Sequence, residues 1–438
     1  MIAIKNKHSD FRIYLLGLLI LLFLIYAFNI PIPTALLSLL MITVMCLGNQ
    51  DEILAISMCC IPLHSTVDFY LVMGVSVILY TLKYYRQIKV GIFVLFILFL
   101  VLWEFLHCFD TRFDLKTTIG TLMVMILLAV VVSSDLRNMD YPFIVRVVAI
   151  ASLNVCFVCI VNHVVAANFN LSAALNAMQR LGMMYDKGLT AKGSLNSNTL
   201  GIINLLSISA LLQLRLINQH RKSDNLIMFM LLVFGLLTAS RTFIACLLLV
   251  IVLYIMGQSG GWQKKFRIAI SMVFLAVAVF LVYLCVFPDS FAFFISRFLE
   301  GSFWGGRDTI MADYNSYLIN NPFVMFFGVG LSKFAEKVII VYEMSSAVPH
   351  NGIQEILVAW GAIGLIIFVA MLITMLQAAK YQNRKQSIVN YIPLILILIK
   401  SMAGQLLTSS YTMLALIFAY LSLCQDFSVP QKNKELSL

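Results

Sequence analysis

Charge is scarce in this chain. Asp, Glu, Lys and Arg make up 11% of its 438 residues, against about 25% in an average soluble domain. That deficit excludes an ordinary soluble fold. Long polar stretches are scarcer still: the one sizeable island, Trp304–Gly364, interrupts a sequence that otherwise reads as apolar spans. Paired carboxylates are missing. No Asp-x-Asp occurs, and Asp308, Asp313, Glu336 and Glu343 are scattered through the polar island, so no metal and no other cofactor is expected. No small-residue cleavage site follows the first apolar run, Ile13 to Ile30, which is therefore expected to stay as a span rather than leave as a signal peptide. The island contains none of the 9 cysteines. Cys156 and Cys159 have Cys-x-x-Cys spacing, but they sit within an apolar run without partner ligands, which makes them core- or lipid-facing rather than metal-binding.

What the chain does contain is hydrophobic surface. Apolar residues are 61% of it, and the mean hydropathy is +0.96. Apolar segments run at about 11–30, 33–48, 52–64, 67–82, 91–108, 116–133, 142–165, 197–216, 225–239, 242–257, 267–287, 351–379, 388–402 and 405–424. Several fall short of the ~20 residues that a spanning helix needs. The pairs 52–64 with 67–82 and 225–239 with 242–257 could each be broken or tilted. The expected fold is an all-α polytopic transmembrane helical bundle of about 12–14 spans, one integral membrane domain covering 1–438.

The net charge of +10 does not point to nucleic acid, because no basic stripe interleaved with aromatics occurs. The cations cluster at short loops, as in Lys83, Arg86 and Lys89, or Lys264, Lys265 and Arg267, or Lys380, Arg384 and Lys385. The positive-inside rule then puts both termini in the cytoplasm, including a short tail at 425–438. Loops 166–196 and 288–350, the junction Ser240-Arg241-Thr242, and His64, His107, His163 and His350 fall on the extracytoplasmic face. ATP and nucleotide sugars are cytoplasmic, so chemistry there needs an energy-rich donor already carried across, such as a lipid-linked diphosphate.

Three side chains could carry that chemistry. Arg241 lies in GLLTASRTFIACLLL, apolar on both sides, where a charge is costly. It is either a snorkelling residue at a turn or an anion site, since the guanidinium fork matches phosphate oxygens. Arg307 follows Gly305-Gly306 and precedes Asp308. It either pairs with Asp308 or meets a ligand that the glycines let approach. Asp308 could cap a helix with apolar positions at 310, 311, 314, 317 and 318. His350, between Pro349 and Asn351, is either a hydrogen-bonding residue at a helix start or a general base whose pKa lies near working pH. Asn351 could cap the helix or orient the imidazole. Asn321-Pro322 and Gly328-Val329-Gly330 read as breakers that fold the loop back. Lys400, Gln405 and the polar run Ser401–Ser410 line a glycan cavity or make a small-residue helix contact. Trp304 either stacks on a sugar or joins Trp103, Trp262 and Trp360 in an interfacial aromatic belt.

At these residues the chain resembles the bacterial O-antigen ligase and Wzy-type polysaccharide polymerase superfamily. The resemblance rests on three short matches in order: Ser240-Arg241-Thr242; Gly306-Arg307 with Asn321-Pro322 and Gly328-Val329-Gly330; and His350-Asn351 with Gly361-Ala362-Ile363-Gly364. It covers roughly residues 225–380. It implies a GT-C-like glycosyltransferase of the bacterial inner membrane, working on undecaprenyl-diphosphate-linked oligosaccharides without metal or nucleotide. Arg241 and Arg307 would hold the donor diphosphate, and His350 would activate the acceptor. Arg180, Lys187 and Lys192 match no motif and are candidate phosphate or sugar contacts. Because the sequence stops soon after its last span, polymerase is favoured over relatives that carry a further soluble domain. A ligase, which would use a lipid core sugar as acceptor, shares the motifs. The expected partners are a lipid-linked donor and acceptor, membrane lipid and a polysaccharide chain-length regulator. The competing classes are a transporter or flippase, and a structural scaffold; spans nearly free of mid-membrane charge argue against the first.

Overall fold

The computed structural model describes residues 9–107, 115–178, 180–182, 195–258, 260–286, 288–299, 307–331, 349–407 and 409–426. Within them the chain is helical, and the one β-type pairing is an isolated bridge between Ile88 and Ser134. Each apolar segment read from the sequence is helical over most of its described residues. In order these are α1 (Ser9–Ala27), α2 (Thr34–Leu47), α3 (Gln50–Leu63), α4 (Phe69–Tyr84), α5 (Ile92–His107), α6 (Leu115–Val132) and α7 (Tyr141–Ala166). A short α8 (Leu171–Ala177) precedes α9 (Ser197–Leu216), α10 (Lys222–Leu237), α11 (Arg241–Gly257) and α12 (Trp262–Val286). The predicted loop 288–350 contains three further helices among its described residues: α13 (Pro288–Leu299), α14 (Arg307–Asn320) and α15 (Pro322–Phe327). The chain then continues through α16 (Gly352–Gln382), α17 (Ile392–Met402) and α18 (Ser410–Leu423). The last expected segment, 405–424, is helical only from Ser410. Residues 403–407 form an irregular loop instead, because the polar run there bonds to neighbouring helices rather than to itself.

Polar residues at the ends of the apolar runs set the boundaries. Asn49 and Glu52 form a reciprocal capping box at α3. Asp68, Asp140, Asn196, Ser240 and Asn351 each accept a first-turn amide of the helix that follows, satisfying donors that a helix leaves orphaned.

Among the described residues four helices, α7, α9, α12 and α16, are long and apolar enough to cross a membrane, and seven more apolar helices are shorter. Of the apolar stretch of α9, 83% is buried, against 12% for α12. So α9 forms the axis, packed by α7, α10, α11 and α17, and α12 faces outward with Val273 and Phe274 exposed. Outward-facing Leu, Ile and Phe continue around the molecule on α1, α2 and α5. Such a surface suits hydrocarbon as solvent rather than water, and the pattern is that of a helical membrane protein. The polar loops sort into two ends. One end joins Lys83 to the Cys46 and Gly48 carbonyls, Gln382 to Ser134, and Arg146 to Asp224. The other joins Tyr26 to Thr66, His107 to Phe327 and Arg307 to Ala403.

A break in α16 builds much of that second end. Gly361 has φ 71 and ψ −174 in mid-helix, which frees carbonyls on the preceding turn. Val329 N–H donates to the Val358 oxygen at 2.9 Å and Gly330 N–H to the Ala359 oxygen at 2.8 Å. The Trp103 indole N–H donates to the Trp360 oxygen at 3.1 Å. The approach is too close for side chains: a Cβ on Gly328 would lie 2.3 Å from the Ala359 oxygen, and one on Gly361 2.2 Å from the Phe326 oxygen. Gly328, Gly330 and Gly361 all have positive φ. The two glycine motifs are thus halves of one interlock. Beneath it the fully buried Glu104 accepts from Leu331 N–H at 3.0 Å and from the Trp360 indole at 2.9 Å. This corrects the belt expectation for Trp360, which is a buried anchor because its N–H has a buried carboxylate to meet. Trp262, 82% exposed, stays on the surface.

Candidate functional site

The interlock and the caps bring three of the expected residues to one cavity of about 560 Å³. Arg307, His350 and Lys400 line it, together with Thr242 of the Ser-Arg-Thr motif. Each arrives from a different element. Arg307 opens α14, whose inner face of Tyr314, Tyr317 and Leu318 is buried as the apolar spacing required. Asp308 lies within the first turn of that helix rather than at the cap, correcting the expected role. The Gln354 amide ties α14 to α16 through the Met311 oxygen at 2.8 Å and Asn315 at 2.7 Å. His350 precedes Asn351, the N-cap of α16, and has φ 52, a left-handed conformation that a β-carbon makes costly. Such an outlier is tolerated where the surroundings fix it.

Ser240 caps α11 by accepting from Phe243 N–H at 3.3 Å. That fixes Arg241 and Thr242 in the first turn. Thr242 touches the cavity, and the Arg241 charge reaches Arg307: burial first, and then Arg241, hold the Arg307 guanidinium below its usual range. The His350 imidazole is likewise pushed down, by burial, then by Arg307, then by Lys400. Two guanidinium groups are therefore close enough to feel each other, and the neutral His350 imidazole lies in the field of Arg307 and Lys400; Arg241 itself is not among the residues that line the cavity.

The loop between α17 and α18 forms one wall and is held from three sides. Arg307 donates to the Ala403 oxygen at 2.5 Å. Lys400 donates to the Gln405 oxygen at 2.6 Å and to Thr412 Oγ1 at 2.8 Å, with its ammonium 4.7 Å from the Tyr411 ring centroid. The fully buried Glu355 of α16 accepts from the Leu406 and Leu407 amides at 2.5 and 2.9 Å.

Other expected residues stand differently. Arg180 is bound to the Thr238 oxygen at 2.9 Å and to Asn198 Oδ1 at 2.8 Å; it touches the cavity through Asn198 rather than directly. Asn351 spends its oxygen on the Ile353 and Gln354 amides, so of the two roles expected for it the cap is the one observed. Trp304, Lys187 and Lys192 lie outside the described residues. Sequence reasoning passed over Glu355, and it gave His64, Asn198, Thr199 and Tyr411 no role, although all four line the cavity. The available signal was that His64, Asn198 and Thr199 sit where an apolar run starts or ends; Tyr411, inside the run 405–424, gave none. Among the described residues no group of three or more His, Cys, Asp or Glu side chains is placed to hold a metal ion.

Chemically the cavity pairs fixed cations with an uncharged imidazole and many neutral hydrogen-bonding groups. That set can neutralise an anion and accept a proton in one place. Comparison with protein-family models finds no match, and no curated protein matches the chain.

Proposed function

We propose that this chain is a GT-C-like glycan repeat-unit polymerase of the bacterial inner membrane, acting in surface polysaccharide synthesis. In this reading the bundle has 12–14 spans with both termini cytoplasmic, and the cavity opens on the extracytoplasmic side. One observation carries the proposal: Arg307 and His350, far apart in sequence, line a single cavity, with the charge of Arg241 acting on Arg307.

Donor and acceptor are both undecaprenyl-diphosphate-linked oligosaccharides. Arg241 and Arg307 hold the donor diphosphate. An acceptor hydroxyl oxygen attacks the donor anomeric carbon, forming the new glycosidic bond. The bond from that carbon to the diphosphate oxygen breaks, and undecaprenyl diphosphate leaves with the electron pair. The hydroxyl proton passes to the His350 imidazole. Burial keeps that imidazole neutral and able to accept, while the guanidinium groups stabilise charge that grows on the leaving group. The volume suits a headgroup and adjoining sugars, being within the roughly 300–1,000 Å³ usual for ligand sites.

The test replaces Arg241, Arg307 and His350 singly by Ala in the producing cell and resolves the surface glycan on a gel. The expected result is a collapse of long chains to single repeat units at normal expression. Unchanged long chains would overturn the assignment. Loss of glycan from the lipid core, with lipid-linked chains still long, would identify a ligase instead.

A further inference from the structure

The cavity does not end at its cations. Its lining also includes neutral polar groups. The Tyr411 ring lies against the Lys400 ammonium, and the His64 imidazole stacks on the same ring at 5.1 Å and 20°. Tyr411 also reaches Thr199 Oγ1 at 3.4 Å, and Asn198 stands one residue away, its oxygen engaged by Arg180. His64, Asn198 and Thr199 carry no charge at neutral pH, and all three line the same space as Arg307 and His350.

His64 is prepared in a particular form. Its Nδ1 lies 3.0 Å from the Ile61 carbonyl oxygen. A carbonyl oxygen only accepts, so the ring proton must be on Nδ1. Nε2 is then the lone-pair nitrogen, and the stack on Tyr411 fixes the plane in which it is offered. A fixed acceptor beside an amide and a hydroxyl matches the hydroxyl groups of a sugar, and matches poorly to a second diphosphate or a lipid tail.

We propose that His64, with Asn198 and Thr199, forms the subsite for the acceptor saccharide, and that His64 Nε2 accepts a hydrogen bond from one of its hydroxyl groups. This rests on the polymerase reading above and adds the place and chemistry of the acceptor: a neutral, hydroxylated sugar next to the donor diphosphate. His64 acts here as a binding and specificity residue, and the proton that leaves in the reaction still goes to His350.

Three variants test it: R307A, H64F, which keeps a stacking ring but no nitrogen, and H64Q, which keeps an acceptor oxygen. Each is purified in nanodiscs and assayed for binding of undecaprenyl diphosphate, and each is expressed in the producing cell for glycan chain length. R307A is expected to lose binding at least tenfold and to lose long chains. H64F is expected to stay folded, with its unfolding midpoint lowered only by loss of the Ile61 bond, and to bind undecaprenyl diphosphate within twofold of wild type, yet to form long chains at least tenfold less. H64Q is expected to fall between H64F and wild type. Full-length chains from H64F would overturn the subsite, and so would a loss of undecaprenyl diphosphate binding as large as that of R307A. Wild-type binding by R307A would strike at the diphosphate site itself, and the subsite would fall with it.

Discussion

Glu355 accepts the backbone N–H of Leu406 at 2.5 Å with a carboxylate that has no exposed surface. The same oxygen takes the Leu407 amide, so one buried charge holds the loop that walls the cavity. A hydrogen bond to a charged group contributes about 1.5–3 kcal/mol, and a buried donor left unsatisfied costs on the order of 1–3 kcal/mol. E355A is therefore expected to lower the thermal unfolding midpoint clearly. E355Q, which keeps an acceptor oxygen, is expected to lower it less. Differential scanning fluorimetry in detergent measures both, and equal midpoints for E355A and wild type would show that the amides find other acceptors.

The break in α16 gives a second test. Ala at position 361 must adopt φ 71 with ψ −174, a region used almost only by Gly, at about 1–3 kcal/mol, with its Cβ driven to 2.2 Å from the Phe326 oxygen. G361A is expected to be destabilised by more than the φ cost alone and to part the Gly328–Gly330 turn from α16. Hydrogen exchange reads this directly, as faster exchange of the Val329 and Gly330 amides. G17A is the control: nothing lies within 4 Å of a Cβ there, and Ala in a helix interior gains about 0.5–1 kcal/mol over Gly.

These examples show what the sequence discloses and what it withholds. Apolar runs, several of them ended by Asn, Asp or Ser, set the long helices within a few residues, because burial and capping are both local; α8, α13 and α15 lie in segments that read as loops. Arg241, Arg307 and His350 were visible as polar groups at costly positions. The interlock of Gly328 with Gly361 was not, because it joins two turns through backbone atoms that any sequence possesses. Glu355 and Glu104 were equally hidden. A carboxylate in an apolar run states that something must satisfy it, but the partners, Leu406 and Leu331, are amides of distant residues with no polar side chain to announce them. Trp360 misled for the same reason: its indole partner, Glu104, lies more than two hundred residues earlier.

His350 carries a pH signature. Its pKa is lowered from 6.5 by burial, Arg307 and Lys400. Protonation therefore favours the unfolded chain, whose imidazole keeps the ordinary value. The stability contribution is fully present above pH 6.5 and is lost as pH falls through the lower folded pKa. Carbon-13 labelled histidine followed by NMR is expected to show His350 titrating below 6.5 in wild type and closer to 6.5 in R307Q, where one of the cations depressing it is gone. A wild-type midpoint at or above 6.5 would contradict both the burial and the nearby charges.

The two arginines make opposite demands on stability and on binding. Arg241 depresses the Arg307 pKa, which means the protein holds like charges within reach of each other. An anion bound between them relieves that repulsion, so ligand stabilisation should be large and should need both guanidinium groups. At one hundred times its Kd a ligand adds about 2.7 kcal/mol. Undecaprenyl diphosphate is thus expected to raise the wild-type unfolding midpoint by several degrees and to leave R241Q and R307Q nearly unmoved. R241K and R307K keep the charge but lose the planar fork, and are expected to retain only part of the shift. Added salt should weaken binding only modestly, because partly buried charges are poorly screened. Full stabilisation of R241Q would remove Arg241 from the anion site and leave it as the turn residue that its apolar surroundings first allowed.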